Sequence, residues 1–159
     1  MATLSIVHGI VLGKRDWREA DRIYTVYTET FGKIELLGRG ARKPLAKLAP
    51  HLELLSEADF LIVHGMVYET IAGVENKQTF SGIYEDVSKM LLTSQTLSAF
   101  NQLTRPKQHD EELYLFLKHW LDFLHTCPSL RPERANFILS AFLLKITTIL
   151  GHRPEVFFV

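Results

Sequence analysis

The stretch that decides the fold of the first half of the chain is Arg22–Gly38, RIYTVYTETFGKIELLG. After the arginine come six residues that are all β-branched or aromatic, a composition that suits the pleated surface of a strand. Gly32 supplies the positive φ that a tight chain reversal requires. The stretch therefore predicts a β-hairpin, with strands at Arg22–Thr28 and Lys33–Arg39.

Strand patterns flank this hairpin on both sides. Ser5–Gly13 is rich in β-branched residues, and His51–Gly65 and Met66–Glu75 predict a fourth and a fifth strand joined near Gly65. A short helical pattern, Pro44–Leu48, lies between the third and fourth strands. Glycines inside strands permit the sharp bends of a small closed sheet. Five short strands with a helix at this place are typical of an OB-type barrel, and an open five-stranded sheet is the alternative.

From residue 78 onward the periodicity is helical. Ile83–Leu103 predicts one long or two short helices, with the hydroxyls of Thr79 and Ser81 as N-cap candidates. Asp110–Cys127 predicts a further helix capped by Asp110, because its apolar residues recur at a spacing of three and four. That apolar stripe consists of Leu113, Phe116, Leu117, Trp120, Leu121 and Leu124.

The last helical segment, Glu133–Leu150, is apolar on most sides and ends before Gly151, a residue suited to the left-handed C′ position. Pro132 precedes it, where a first-turn proline is favoured. A helix that is apolar all round belongs in the middle of a bundle. The sequence thus predicts an α+β chain, with a five-stranded OB-type β-barrel at residues 1–77 and a helical bundle domain at residues 78–159.

Composition and motifs exclude several classes of protein. With 47% apolar and 23% charged residues the chain is globular, and no apolar run approaches the roughly 20 residues that cross a bilayer. The N-terminus lacks the basic region of a signal peptide, so we expect a cytoplasmic protein. The single cysteine, Cys127, excludes a disulfide framework and a zinc site of several thiolates. His8, His51 and His64 lack metal-site spacing and no catalytic motif occurs, so we expect neither an enzyme nor a metal or cofactor.

Positive charge is concentrated near the start of the chain. Residues 1–50 carry nine Lys or Arg against five Asp or Glu, whereas residues 51–159 carry nine against thirteen. Gly38–Leu48, GRGARKPLAKL, holds four cations and no acid. Because phosphates bind cations and a glycine backbone permits close approach, this composition indicates a nucleic-acid partner. The predicted DNA-backbone contacts are Arg39, Arg42, Lys43 and Lys47, supported by Arg15, Arg22 and Lys33.

Three residues of the first domain have two interpretations each. Trp17 stands between charges in KRDWREADR and is predicted at a loop tip, where it either stacks on a base or staples the loop. Arg22 either contacts DNA or is held in an ion pair by its neighbours Glu19 and Asp21. Phe31 is either an exposed stacking residue or part of the core, and we favour the core.

Several short motifs follow one another over some 45 residues: Gly9-Ile10-Val11-Leu12, Glu19-Ala20-Asp21-Arg22, Thr28, Gly32-Lys33, Gly40-Ala41-Arg42-Lys43 and Leu48. In order and spacing this set resembles the N-terminal domain of RecO, a family of bacterial recombination mediators. The helical half is similar more loosely, with Gly151-His152-Arg153-Pro154 in the place of the family's glycine-x-x-proline segment. Many members continue into a segment with a four-cysteine zinc site, which these 159 residues do not match, so the resemblance predicts a shortened relative without zinc.

The resemblance implies an OB-fold followed by a helical domain, binding of single-stranded and double-stranded DNA, and strand annealing. It also implies partnership with RecR and with the C-terminal tail of single-stranded-DNA-binding protein in loading the recombinase RecA, at the bacterial nucleoid. The alternative is a protein-interaction adaptor that recruits repair partners through its helical domain without binding DNA itself. A cation for the carboxylate of such a tail would then come from Lys118, Arg131, Arg134 or Lys145.

Overall fold

The computed structural model describes residues 3–152, and its first half is a closed five-stranded barrel. The strands are β1 (Leu4–Trp17), β2 (Asp21–Thr28), β3 (Gly32–Gly38), β4 (Glu57–Val63) and β5 (Glu69–Gln78). They follow one another around the barrel as β1-β2-β3-β5-β4. All neighbours are antiparallel except β3 and β5, which are parallel. The OB-type barrel is confirmed, and the open sheet is wrong.

The central hairpin forms as its sequence predicts. Gly32 takes a φ of +66°, and the Thr28 hydroxyl donates to the Gly32 carbonyl at 2.8 Å while accepting from the Phe31 amide at 2.9 Å. Phe31 is 52% exposed at the tip of the turn, so its interpretation as core is wrong. The turn needs a residue there whose side chain points away from both strands.

The connections differ from their predictions in detail. β1 continues past Gly13 to Trp17 through a bulge at Leu12, because its charged half still pairs with β2. Pro44–Leu48 forms turns, and the short helix is a single 3-10 turn at Ala49–His51. β4 begins only at Glu57, because the chain before it turns with a φ of +65° at Leu55. β5 correspondingly begins at Glu69 and ends at Gln78.

The core of the barrel consists of apolar side chains that point inward from all five strands and from the connection between β3 and β4. Each such side chain contributes about 1.5–3 kcal/mol on burial. The cluster comprises Val7, Val11, Tyr24, Val26, Leu36, Ala41, Leu52, Ala58, Phe60, Ile62 and Ile71. Ala41 and Leu52 lie outside the strands, so the long connection between β3 and β4 is fixed to the barrel at two points.

Three helices follow, α1 (Val87–Leu103), α2 (Glu111–Thr126) and α3 (Pro132–Ile149). The first is one continuous helix, and its N-cap is Asp86, whose side chain accepts from the Ser88 and Lys89 amides. The predicted caps Thr79 and Ser81 are wrong, because the 3-10 turn Ser81–Ile83 and a turn at Tyr84 and Glu85 come before the helix. Asp110 caps α2 as predicted, accepting from the Leu113 amide at 3.1 Å.

The helical unit has an apolar core around α2 and α3. The α2 side chains Leu117, Leu121 and Leu124 are fully buried, and Phe142 of α3 stacks on Phe116 at 5.1 Å between ring centroids. On α3, however, Phe137 is 75% exposed. The prediction that α3 is surrounded on all sides is wrong for the described residues. The reason is that α3 packs through one face, mainly against α1.

The chain divides into two compact units whose boundary is not a single point in the sequence. The first runs through Thr79 and takes up Arg105–Tyr114, and the second holds Phe80–Thr104 and the chain from Leu115 onward. The predicted domain boundary after residue 77 therefore differs from the structure, in which Arg105–Tyr114 belongs to the same unit as the barrel. Of the predicted glycine-x-x-proline segment, Arg153 and Pro154 lie outside the described residues. Within residues 3–152, no helix has the length and apolar character of a membrane span.

Candidate nucleic-acid interface

Three connections meet at one end of the barrel, which we call the loop end. They are the β1–β2 turn (Trp17–Asp21), the chain after β3 (Gly38–Lys43) and the β4–β5 loop (His64–Tyr68). The Arg42 amide donates to the Ala20 carbonyl at 2.9 Å, and the Gly40 amide donates to the Asp21 carboxylate at 2.8 Å. These two bonds fix the first connection to the second.

The chain after β3 presents its cations outward because its backbone is anchored inward. Ala41 is 5% exposed and belongs to the barrel core, while Gly40 has a φ of +66° that lets the chain reverse. Arg39, Arg42 and Lys43 around them are all exposed. The structure therefore brings these three predicted contacts together on one connection.

The exposed cations differ in what holds them. Arg42 donates to the Arg18 carbonyl at 3.1 Å and lies 3.5 Å from the Asp16 carboxylate. Across residues 3–152, no ion pair engages the side chains of Arg39, Lys43 and Lys47. Lys47 lies four residues beyond Lys43, outside the three connections of the loop end. Among the described residues of the loop end, Arg18, Arg39 and Lys43 are thus exposed cations that are open to an anion.

Arg22 and Arg15 are engaged within the barrel. The Arg22 guanidinium lies 3.1 Å from Asp16, and this hydrogen bond raises the pKa of Arg22. An ion pair therefore forms, but with Asp16 across the sheet and not with the neighbours that the sequence suggested. Arg15 lies 3.4 Å from Glu35 and 3.5 Å from the Tyr68 hydroxyl. Both arginines therefore have side-chain partners within the barrel.

A cavity of about 300 Å³ opens between the connections of the loop end. It is lined by Trp17 and Arg18 from the first connection, by Leu37 and Arg39, and by Met66 and Tyr68 among others from the β4–β5 loop. Trp17 is the last residue of β1 and not a loop tip. Its ring meets the Tyr68 ring edge-on at 5.6 Å, and the Arg15 guanidinium lies over it at 5.2 Å.

Lys33 is not brought together with the other predicted contacts. It lies at the opposite end of β3, about 17 Å from Gly38 at the usual rise of a strand. We call this the hairpin end. Arg105–Asp110, which we call the strap, covers it, as the Lys107 amide donates to the Lys33 carbonyl at 2.9 Å. Burial lowers the pKa of Lys33, so its ammonium is less available to a phosphate than an exposed one.

A second charged group lies on the outside of β1 and β4. The His8 ring contacts Asp59 at 2.6 Å and Glu57 at 2.9 Å, and Lys77 lies 3.3 Å from Asp59. Burial opposes the positive charge of His8, but these hydrogen bonds outweigh it and raise its pKa. The charges in this group compensate one another. In residues 3–152, no group of three or more His, Cys, Asp or Glu side chains is arranged to hold a metal ion.

The β4–β5 loop was missed as part of the site. The sequence pattern placed Met66, Val67 and Tyr68 in a fifth strand, because apolar and aromatic residues are typical of strands. In the structure Met66 is fully exposed and Val67 is 84% exposed. The residue in the sequence that indicates this loop is Gly65. A Cβ there would lie 2.2 Å from the Tyr68 carbonyl oxygen, so the tight loop requires glycine at this position.

Comparison with known proteins agrees with this architecture. Residues 1–80 match the family model described as "Recombination protein O N terminal". The chain is 32% identical over 152 residues to the DNA repair protein RecO of Symbiobacterium thermophilum, and 30% identical over 148 residues to that of Bacillus mycoides. These matches cover 94% and 93% of the chain, which spans 58% of the length of each relative.

The order of the strands, the cationic connection after β3 and the matched residues 1–80 point to one conclusion. Both relatives are named DNA repair proteins. The chain belongs to the RecO family.

Proposed function

We propose that this chain binds single-stranded DNA through the loop end of its barrel, as a non-enzymatic protein of recombinational repair. The observation that supports this proposal best is the pair of open cations, Arg39 and Lys43, beside an aromatic cavity. Phosphates bind cations, whereas aromatic side chains bind bases that are not paired. In OB-folds the connections between strands 1 and 2 and between strands 4 and 5 are the ones that bind oligonucleotides.

Membership of the RecO family supports wider proposals. We include binding of double-stranded DNA, strand annealing and recombinase loading with RecR and the tail of single-stranded-DNA-binding protein, in the cytoplasm at the nucleoid. Each of these concerns the whole protein of the relatives, of which this chain spans 58%. Binding of a single strand is the part that the loop end itself can support.

The test is a salt series with a labelled single strand. The variant Arg39→Gln, Arg42→Gln, Lys43→Gln and Lys47→Gln removes the three cations of the chain after β3 together with Lys47. If each contacts one phosphate, the slope of log affinity against log salt falls by about 3, since each contact contributes about 0.7 on a single strand. An unchanged slope contradicts the proposal.

A matched control separates local contacts from overall charge. Replacing Arg105, Lys107, Arg134 and Lys145 by Gln removes the same four charges from the strap and from α3, all at exposed positions. We expect this variant to keep the wild-type slope. A slope that falls equally in both variants would show that net charge alone attracts DNA, and would remove the loop end as the interface.

A second candidate function is recruitment of a partner tail by the helical unit. Phe137 and Leu144 are 75% and 51% exposed and lie seven residues apart, on one face of α3. Arg134, three residues before Phe137, adds a cation beside that face. An acidic, aromatic-ended peptide needs such a combination of an apolar surface and a cation.

Fluorescence anisotropy with a labelled peptide of this kind tests the second function. We expect Phe137→Ser with Leu144→Ser to abolish peptide binding, and the four-cation variant of the barrel to retain it. Peptide binding that depends on the barrel cations and not on α3 would contradict this placement.

A further inference from the structure

The β4–β5 loop exposes apolar side chains where a polar loop is the rule. Met66 is fully exposed and Val67 is 84% exposed, and both border the cavity of the loop end. Apolar side chains that project singly into water occur on many surfaces. Here two consecutive ones stand at the rim of a cavity, and this position points to a ligand with an apolar face.

The shape of the β4–β5 loop is fixed by contacts within the barrel. A Cβ at Gly65 would lie 2.2 Å from the Tyr68 carbonyl oxygen, so the backbone closes on itself there. The Tyr68 hydroxyl contacts Arg15, and the Tyr68 ring contacts Trp17 edge-on. These contacts hold both aromatic residues in place in the wall of the cavity.

Charge decides which apolar ligand fits. Arg18 and Arg39 are exposed at the edge of the cavity, and Lys43 lies four residues beyond Arg39 on the same connection. A ligand that is flat and apolar in its middle and negatively charged on either side satisfies both the cavity and these cations. A nucleotide within a single strand has this chemistry, since its base is a flat π-system and its neighbours are phosphates.

We propose that the cavity receives one unpaired nucleobase of a DNA strand whose phosphates contact Arg18 and Arg39. The proposal rests on the proposed function and adds to it a base-binding contact beside the backbone contacts. A base in a duplex is stacked and paired, so only a single strand or a displaced base enters the cavity. The cavity, and not the cations, then gives the chain its preference for single strands.

The test compares two probes that share a sugar-phosphate backbone, oligothymidylate and an abasic oligonucleotide of the same length. We expect the wild-type chain to bind oligothymidylate about tenfold more tightly, as one stacked base contributes. Tyr68→Ser and the double variant Met66→Ser with Val67→Ser are expected to lose this preference and to keep the salt slope. Met66 and Val67 are exposed, so the double variant leaves the core intact.

Tryptophan fluorescence locates the base. The chain has two tryptophans, so Trp120→Phe leaves Trp17 as the only reporter. We expect oligothymidylate to quench it and the abasic probe to leave it unchanged. Equal affinity for both probes, with a normal salt slope, overturns the base cavity while the proposed function stands. If the wild-type chain binds neither probe with a salt-dependent affinity, the proposed function itself is overturned. Quenching by an aromatic dipeptide but not by oligothymidylate overturns the proposal in favour of a protein ligand.

Discussion

Both ends of the barrel carry cations, but those of the loop end are exposed, whereas Lys33 at the hairpin end is partly buried. At the loop end Arg39 and Lys43 face solvent beside an aromatic cavity. At the hairpin end the strap covers the turn, and Lys33 is partly buried with a lowered pKa. The count of cations therefore says little about where an anion binds. What matters is which end later parts of the chain leave open.

Two glycines with the same backbone conformation give the sharpest comparison of the ends. Gly32 and Gly40 both have a φ of +66°, but a Cβ on Gly32 would lie 2.1 Å from the Gln108 carbonyl oxygen of the strap. A Cβ on Gly40 meets nothing nearer than 3.5 Å. We expect Gly32→Ala to lower the free energy of unfolding by about 2–4 kcal/mol, and Gly40→Ala by about 1 kcal/mol. Urea denaturation measures both, and equal losses would contradict a strap packed on the hairpin end.

Removing two cations from each end tests which end binds DNA. Arg39→Gln with Lys43→Gln is expected to lower the salt slope for a labelled single strand by about 1.4. Lys33→Gln with Lys107→Gln removes the same charge from the hairpin end and is expected to leave the slope unchanged. If the second variant lowers the slope as much as the first, the hairpin end belongs to the interface and the comparison fails.

Replacing Asp16, which pairs with Arg42 of the loop end and with Arg22 of β2, is expected to change DNA affinity in the opposite direction. Asp16 contacts both Arg22 and Arg42, at 3.1 and 3.5 Å. Asp16→Asn removes a negative charge a few ångströms from the proposed phosphate positions, so we expect DNA affinity to rise about twofold to threefold at low salt. Glu75→Gln, which removes a partner of Lys77 on β5, is the control and is expected to change nothing. Weaker binding by Asp16→Asn would show that the pair is needed to shape the surface.

The smallest predicted effect is a pH-dependent change in stability, and it comes from the charged group around His8. Because the pKa of His8 is raised in the folded state, its charge stabilises the fold fully below the unfolded pKa of about 6.5. This contribution is lost as pH rises through the folded pKa. We expect His8→Gln to lower stability by about 0.5 kcal/mol at pH 6 and by less at pH 9. Thermal unfolding of both proteins at the two pH values measures this loss of stability. A loss that is larger at pH 9 than at pH 6 would contradict a raised pKa of His8 in the folded state.

Local sequence signals predicted much of the fold. The hairpin followed from the β-branched run of β2 and from Gly32, and the start of α2 followed from Asp110. Arg39, Arg42 and Lys43 lie together because they are near neighbours in sequence, whereas Lys47 of the same predicted group lies outside the loop end. Such features depend on contacts between residues a few positions apart, which a single sequence displays directly.

Features that depend on register or on distant segments were not predicted. The bulge at Leu12 shifts β1 by one residue, so that Asp16 and not Arg15 stands opposite Arg22. A one-residue shift exchanges the two faces of a strand, and no local pattern in β1 marks it. The strap was missed for another reason. It contacts the barrel through backbone atoms, and its sequence has no apolar periodicity to reveal the contact.

The strap also has a consequence for how the chain is made. Arg105 is synthesised 27 residues after Gln78, the last residue of β5. At about 5–20 residues per second, the ribosome completes all five strands roughly 1–5 seconds before it has made the segment that covers the hairpin end. During that interval a nascent barrel exposes the turn around Gly32. The hairpin end can therefore be covered only after α1 has been translated.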